Sequence, residues 1–342
     1  MRKNKSCHRF GCAGLFLALW VGAAAQAGLA QTNPQQEKAA QELSEAERML
    51  YQRYYEAVQK QPGAESTCTL AQEFAQRFPQ SQYAKYAQQT VSKCRLERFQ
   101  KALNEYYAAP DAAHLQTLVT ASESVLQEQP EQIYLNAHLA LALSRGAING
   151  TYKDVERAKT LAERALKLVE AETVPAGWKA EEYQALRQAT QAQLNQFLAW
   201  QILQQETPDS ERAIALLQQA IQIKSKEGFG WKDPNNYSLR ASAYAKQYET
   251  LSAQYQALPD AEKTAESGKA LLIQINALAD RMIDDYARVV ALATQPAQKP
   301  LQDAAREQLT QLWKYRHEGK ADGLEEYIKA FEKDPTVTPL KS

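Results

Sequence analysis

Two helical stripes joined through a single proline turn constrain this chain more than any other feature. In EFAQRFPQSQYAKYA, Glu73 to Ala87, Phe-Pro-Gln-Ser interrupts an otherwise helical pattern. Cys68, Ala71, Ala75 and Phe78 fall at i, i+3, i+7 and i+10, one face of a helix, and Ala84, Ala87, Val91 and Cys94 repeat the spacing. Pro79 disfavours the α conformation at Phe78 and ends the first helix. The Ser81 hydroxyl is placed to cap the second. So short a connection predicts antiparallel helices with both stripes facing inward, a helical hairpin. Cys68 and Cys94 each lie ten residues from the turn end of their stripe. At about 1.5 Å per residue both sit about 15 Å from the turn, side by side. A Cys68–Cys94 disulfide is the expectation, and two buried thiols packing as small apolar side chains is the alternative.

The rest of the chain repeats the theme. Ala, Gln, Leu, Glu and Lys dominate, Gly and Pro are scarce, and no run rich in β-branched residues alternates with period two. The expected fold is all-α. Ser44-x-x-Glu47 has capping-box spacing and opens a helix to about Lys60, stopped by Pro62-Gly63. Further helices are expected near Gln132–Arg145 and Tyr152–Ala171, then near Ala180–Gln205 and Asp209–Lys224. Asp233-Pro234 opens one through about Leu258, and Asp260 a long one to about Ala293. Pro300 begins another to about His317. Asp322-x-x-Glu325 is expected to cap a last short helix before Pro335.

The first 30 residues stand apart. Arg2, Lys3, Lys5 and Arg9 precede an uncharged, mostly apolar stretch from Gly11 to Ala25, followed by Ala25-x-Ala27 or Gly28-x-Ala30. This is the order of a cleaved secretory signal, and the apolar run is shorter than the ~20 residues of a membrane anchor. Residues 31–43 and 335–342 read as a disordered lead and tail around a helical domain at 44–334. Taking the leader's four basic residues from the chain's 40 leaves 36 against 40 acidic ones. That mild negative balance argues against a nucleic-acid partner and against electrostatic attachment to anionic lipid. No other run approaches a membrane span.

In the second helix of two units, Ala158-x3-Ala162-x2-Ala165 is matched by Ala213-x3-Leu217-x2-Ala220. Helical hairpins in series with such a pattern resemble tetratricopeptide repeats. RFPQSQYAKYA is similar, more specifically, to the tetratricopeptide-like domains of exported bacterial envelope proteins, a largely uncharacterised family. WKYRHEGKADGLEEYIKAFEKDP is similar to their last repeat. The resemblance covers about residues 45 to 334 and implies a solenoid that binds protein or peptide in the cell envelope. The departures are clear: no W-x2-L-G-x2-Y element is present. Gly146 lies twelve residues before Ala158, where the repeat wants its glycine, but Gln201 is the equivalent before Ala213. Ala165 to Ala220 spans 55 residues, not a multiple of the roughly 34-residue period. A degenerate solenoid with long, irregular helices is expected, and no peptide-clamping set carries over.

Residues that carry chemistry are sparse. His114, His138 and His317 have neither i, i+4 spacing nor a CxxC for company, so no metal site is expected. His317 is placed to interact with a helix C-terminus. Glu181-Glu182, Asp284-Asp285 and Glu325-Glu326 are adjacent pairs, whose side chains leave a helix in different directions, and read as solvated faces. No nucleophile elbow, Walker loop or dinucleotide loop is present, so no cofactor is expected. Gly228-Phe229-Gly230-Trp231 reads as a turn pinned on the core by Trp231, or as a binding loop. Tyr51, Tyr54, Tyr55, Tyr83, Tyr86, Tyr106 and Tyr107 either seal hairpin against hairpin or line a groove. Asn149-Gly150-Thr151 and Asn236-Tyr237-Ser238 match the glycosylation acceptor by accident. The expected function is a non-catalytic scaffold that binds a protein or peptide on its concave face. The alternatives are an α/α-type envelope enzyme acting on glycan and a passive structural spacer.

Overall fold

The computed structural model describes residues 44–170 and 173–336. The leader, the lead segment and residues 337–342 of the tail lie outside the described residues, so the expectations placed there are not addressed by it. Among the described residues there is no strand, only an isolated antiparallel bridge between Lys224 and Gly230. The chain divides into two compact units at Gln88.

The first unit holds α1 (Glu45–Lys60), α2 (Glu65–Arg77) and the start of α3 (Ala84–Ala108). Ser44 caps α1, its hydroxyl accepting from the Glu47 N–H at 3.2 Å. The reciprocal half of the box is not completed by Glu47 Oε1, which is buried without a hydrogen-bond partner among the described residues. On α2 the buried face is Thr67, Cys68, Ala71 and Phe74. Phe74 completes the stripe that the sequence reading ran through Ala75 to Phe78; Ala75 is only half-buried, and Phe78 has left the helix as its C-cap. The Ser81 hydroxyl accepts from the Tyr83 N–H at 3.1 Å, so it braces the turn ahead of α3, which begins only at Ala84, where a helix cap was expected. Ala84 and Ala87 are buried as expected.

The second unit is a solenoid-like series of antiparallel hairpins. The α3 segment from Phe99 to Tyr106 shares a core with α4 (Ala112–Glu128), a helix the sequence reading did not resolve. Then α5 (Ile133–Ile148) pairs with α6 (Val155–Leu168), and α7 (Ala180–Leu203) with α8 (Ser210–Gln222). Asp111, Asp154 and Asp209 cap α4, α6 and α8 through their carboxylates. Ala158, Ala162 and Ala165 on α6, and Ala213, Leu217 and Ala220 on α8, are all fully buried. The small side chains let each second helix approach its neighbours closely. Gly146 has a similar role, since a Cβ there would lie 2.6 Å from Leu115 Cδ2 and 3.0 Å from Tyr152 Cβ.

α9 (Pro234–Ala257) packs along α11 (Glu266–Leu292), with α10 (Asp260–Thr264) between them. The single helix expected from Asp260 to Ala293 is thus broken, at Ala265, whose ψ of 168° is extended. Gly268 makes room for the break: a Cβ there would lie 2.4 Å from the Glu262 carbonyl oxygen and 2.6 Å from that of Lys263. α10 folds back on the first turn of α11 at a distance only glycine allows.

α12 (Lys299–Arg316) and α13 (Leu324–Lys333) both pack on α11. The cap expected from Asp322 and Glu325 is absent. Gly323 holds the N-cap position at φ 79° with no side-chain bond. Asp322 instead offers its backbone carbonyl to Trp313 Nε1 at 3.2 Å, and Glu325 pairs with Arg306. The chain stays docked as far as Pro335, which is buried and whose carbonyl accepts from Arg288 Nε at 2.7 Å.

Candidate functional site

The first helices of successive hairpins, α5, α7 and α9, lie next to one another in order. α5 is apolar almost all round, with Leu135, Leu139, Ala142, Leu143 and Gly146 buried. A second stripe, Tyr134, His138, Leu141, Arg145 and Ile148, runs at i, i+4, i+7, i+11 and i+14 along another face. Its lower part borders a groove of about 320 Å³. Leu141, Ser144, Arg145 and Ile148 line it from α5, Gln193 and Gln196 from α7, Asp233 and Asn235 from the start of α9, and Phe229 from the preceding loop.

The α9 side of this groove is fixed by a closed network. Gln196 Nε2 donates to Asp233 Oδ2 at 2.8 Å and to Asn236 Oδ1 at 2.9 Å. Asp233 Oδ1 accepts from the Asn235 N–H at 2.9 Å, and Asn236 Nδ2 donates to the Gly230 carbonyl at 2.9 Å. The α5 side is not closed. Arg145 is exposed and has no carboxylate partner among the described residues. Ser144 is 4 % exposed, and its Oγ has no hydrogen-bond partner among them.

Above the groove, an aromatic cluster continues the α5 stripe. His138 Nδ1 lies 3.0 Å from the Tyr107 hydroxyl, and the His138 ring is centred 4.3 Å from that of Tyr134. Tyr134 in turn meets Trp178, which meets Tyr183 edge-on. Burial pushes the His138 pKa down to about 4. The Tyr107 ring stays 38 % exposed, yet its surroundings are crowded, and desolvation raises its pKa while Arg145 pulls it back.

A larger open groove of about 900 Å³ lies between the α7–α8 loop, α9 and α11. Glu206, Asp209, Glu211 and Glu249 line it and all are exposed. Asp209 is engaged as the α8 cap, and Glu249 lies 3.3 Å from Lys246.

The structure separates the other candidate residues. His114 Nδ1 is 2.9 Å from Asp111 Oδ2 at the start of α4. His317 is the C-cap of α12, its ring stacked at 4.0 Å on Trp313 and its Nδ1 2.9 Å from the Trp313 carbonyl. No group of three His, Cys, Asp or Glu among the described residues is placed to hold a metal. Cys68 and Cys94 are both buried and both disulfide-bonded.

Two carboxylate pairs follow the solvated reading at least in part: Glu325 and Glu326 are both exposed, and Glu181 is exposed beside Lys226 while Glu182 is half-buried beside Lys179. Asp285 contradicts it. This residue is 1 % exposed and takes two bonds from Arg240, at 2.9 and 2.6 Å, with Arg288 at 3.8 Å. Burial pushes its carboxyl pKa up against the pull of the two arginines. Asp284 accepts from the Tyr327 hydroxyl. Neither carboxylate lines either groove.

The Gly-aromatic loop is a packed turn whose Phe229 also borders the smaller groove. Gly230 has φ 84°, and a Cβ would meet the Ile223 carbonyl oxygen at 2.4 Å. Trp231 lies between Lys224 and Lys232, while its carbonyl accepts from the Tyr237 hydroxyl at 2.8 Å. Among the tyrosines, Tyr51 stacks on Tyr83 at 4.0 Å and Tyr54 donates to the Tyr86 carbonyl. Burial and the neighbouring hydroxyls push Tyr51 up to about 12. These rings seal the first unit, although Tyr55 and Tyr86 keep exposed faces. Asn236 is 1 % exposed, which closes that acceptor motif to glycosylation as the fold stands.

No family model, curated protein or solved structure matches the chain.

Proposed function

We propose that this chain is an exported scaffold of the bacterial cell envelope, tetratricopeptide-like in its repeats. It binds an extended protein segment without doing chemistry on it. One observation carries the reading: the groove over α5, α7 and the start of α9 is built from the first helices of three successive hairpins. Solenoids present their first helices on a continuous concave face suited to extended partners. The groove is narrow and open, better matched to a strand of peptide than to an enclosed small molecule. Cysteines held as a disulfide fit an oxidising compartment.

The reading is tested by a photo-crosslinking residue at Gln193, in the groove, and another at Lys167, exposed on the second helix α6. In intact envelopes, position 193 should give adducts with another protein and position 167 should not. Recovery of self-adducts alone, with purified protein that hydrolyses an envelope glycan, overturns the reading in favour of the enzyme.

A further inference from the structure

We propose that the groove over α5, α7 and the start of α9 recognises an acidic side chain of an extended peptide, with Arg145 meeting the carboxylate and the Ser144 hydroxyl donating to the same segment. The proposal rests on the reading of the groove as a peptide site and adds the chemistry of what enters it.

The first observation is the orphaned hydroxyl. A helical serine usually returns its hydrogen bond to the carbonyl four residues back. Ser122 does so to Leu118 at 2.6 Å, and Ser242 to Ser238 at 3.0 Å. Ser144 makes no such bond, and the Thr190 and Ser252 hydroxyls are likewise unpaired among the described residues, but of the three only Ser144, 4 % exposed, borders the groove. A buried hydroxyl left unpaired is costly, so this position favours a ligand that supplies an acceptor.

The second observation is the state of the charges. Arg95, Arg157, Arg240 and Arg316 each meet a carboxylate within the fold. Arg145 meets none among the described residues. The one carboxylate lining the same groove, Asp233, already has both oxygens engaged, by the Asn235 N–H and by Gln196. The lining is charge-balanced, but its two charges differ in state: the Asp233 carboxylate has its hydrogen bonds made on the α9 side, while the Arg145 guanidinium on the α5 side is left to meet an incoming carboxylate. A guanidinium binds a carboxylate in a two-point geometry that an ammonium does not reproduce. Ile148, 41 % exposed, and Phe229 provide an apolar wall, which favours an apolar residue beside the acid.

A phage library of random twelve-residue peptides, panned on the immobilised full chain, supplies the probe. Enriched peptides should pair Asp or Glu with an apolar neighbour. In fluorescence polarisation, replacing that acid by its amide should weaken binding on the order of tenfold for the native chain. The same replacement should change binding less than about twofold for Arg145→Gln, the coupling expected of partners in contact. Ser144→Ala should weaken binding severalfold and leave Tm unchanged or raised. A fall in Tm instead would mean that the hydroxyl serves the fold and would overturn its role here. Peptides that are lost on Gln193→Trp, which fills the groove, yet bind equally well as acid or amide would overturn this proposal and retain the groove. No enrichment over bare support would overturn both. Displacement of the peptide by a soluble uronic-acid oligosaccharide would reassign the subsite to carbohydrate and overturn the peptide proposal.

Discussion

Asp285 and His138 are both held in surroundings that their neighbours in sequence do not announce. Asp284-Asp285 reads as a charged, wet pair because nothing local says otherwise. Arg281 and Arg288, four residues before and three after, are nearby hints, but the fork that meets Asp285 is Arg240, from α9. Such a pairing exists only once α9 and α11 have packed, so it is legible in the structure alone. His138 is similar. Its stripe on α5, with Tyr134 one turn before it, can be read from the spacing, but its desolvation also needs Tyr107, which comes from α3. That burial has a pH consequence. With the folded pKa near 4 and the unfolded value near 6.5, the unfolded chain binds the extra proton between them. Stability contributed by neutral His138 is complete above about pH 6.5 and falls as pH drops towards 4. Urea unfolding at pH 7 and pH 4.5 should therefore show a larger acid loss for the native chain than for His138→Gln. Parallel losses in the two chains would refute the assignment.

Most helices were legible because their signals are local. Asp or Ser before an amphipathic run gives the starts of α1, α8 and α9, and the alanine stripes of α6 and α8 give the faces that pack; α6 was expected from about Tyr152 and begins at Val155, behind the Asp154 cap. Where elements depart from the sequence reading, backbone meets backbone. α10 and α11 read as one helix yet break at Ala265, where the Glu262 and Lys263 carbonyls sit against Gly268 at a distance only glycine allows. Gly323, at φ 79°, opens α13 where a capping box was expected. Gly268→Ala tests the first case. Its Cβ would overlap two carbonyl oxygens, so loss of about 2 kcal/mol or more is expected in denaturant unfolding, despite alanine's better helix propensity. A variant as stable as the native chain would mean that the α10 turn is loosely held.

At the scale of the whole molecule, the all-α repeat architecture was readable from periodicity, while the groove was not. Its lining comes from α5, α7, a loop and a helix start, a combination no spacing in the sequence encodes. The two disulfide-bonded cysteines act at this scale too. Joined to each other, Cys68 and Cys94 close a loop of about 25 residues, which should contribute about 3 kcal/mol by restricting the unfolded chain. Mapping of unreduced peptides should recover the two cysteines in one linked species, and reduction should lower the unfolding midpoint. Free thiols in unfolded, unreduced protein would contradict this. The last helix carries a different kind of consequence. α13 turns Leu324, Ile328 and Phe331 inward, and Arg288 lies over Phe331 while holding the Pro335 carbonyl. Its outer face, with Glu325, Glu326, Lys329, Glu332 and Lys333, is charged and wet. A stack of repeats is in principle open-ended, each terminal hairpin offering the surface on which another could be laid. Here the outer face of α13 is charged among the described residues, so that face lacks the apolar stripe against which a further hairpin would pack.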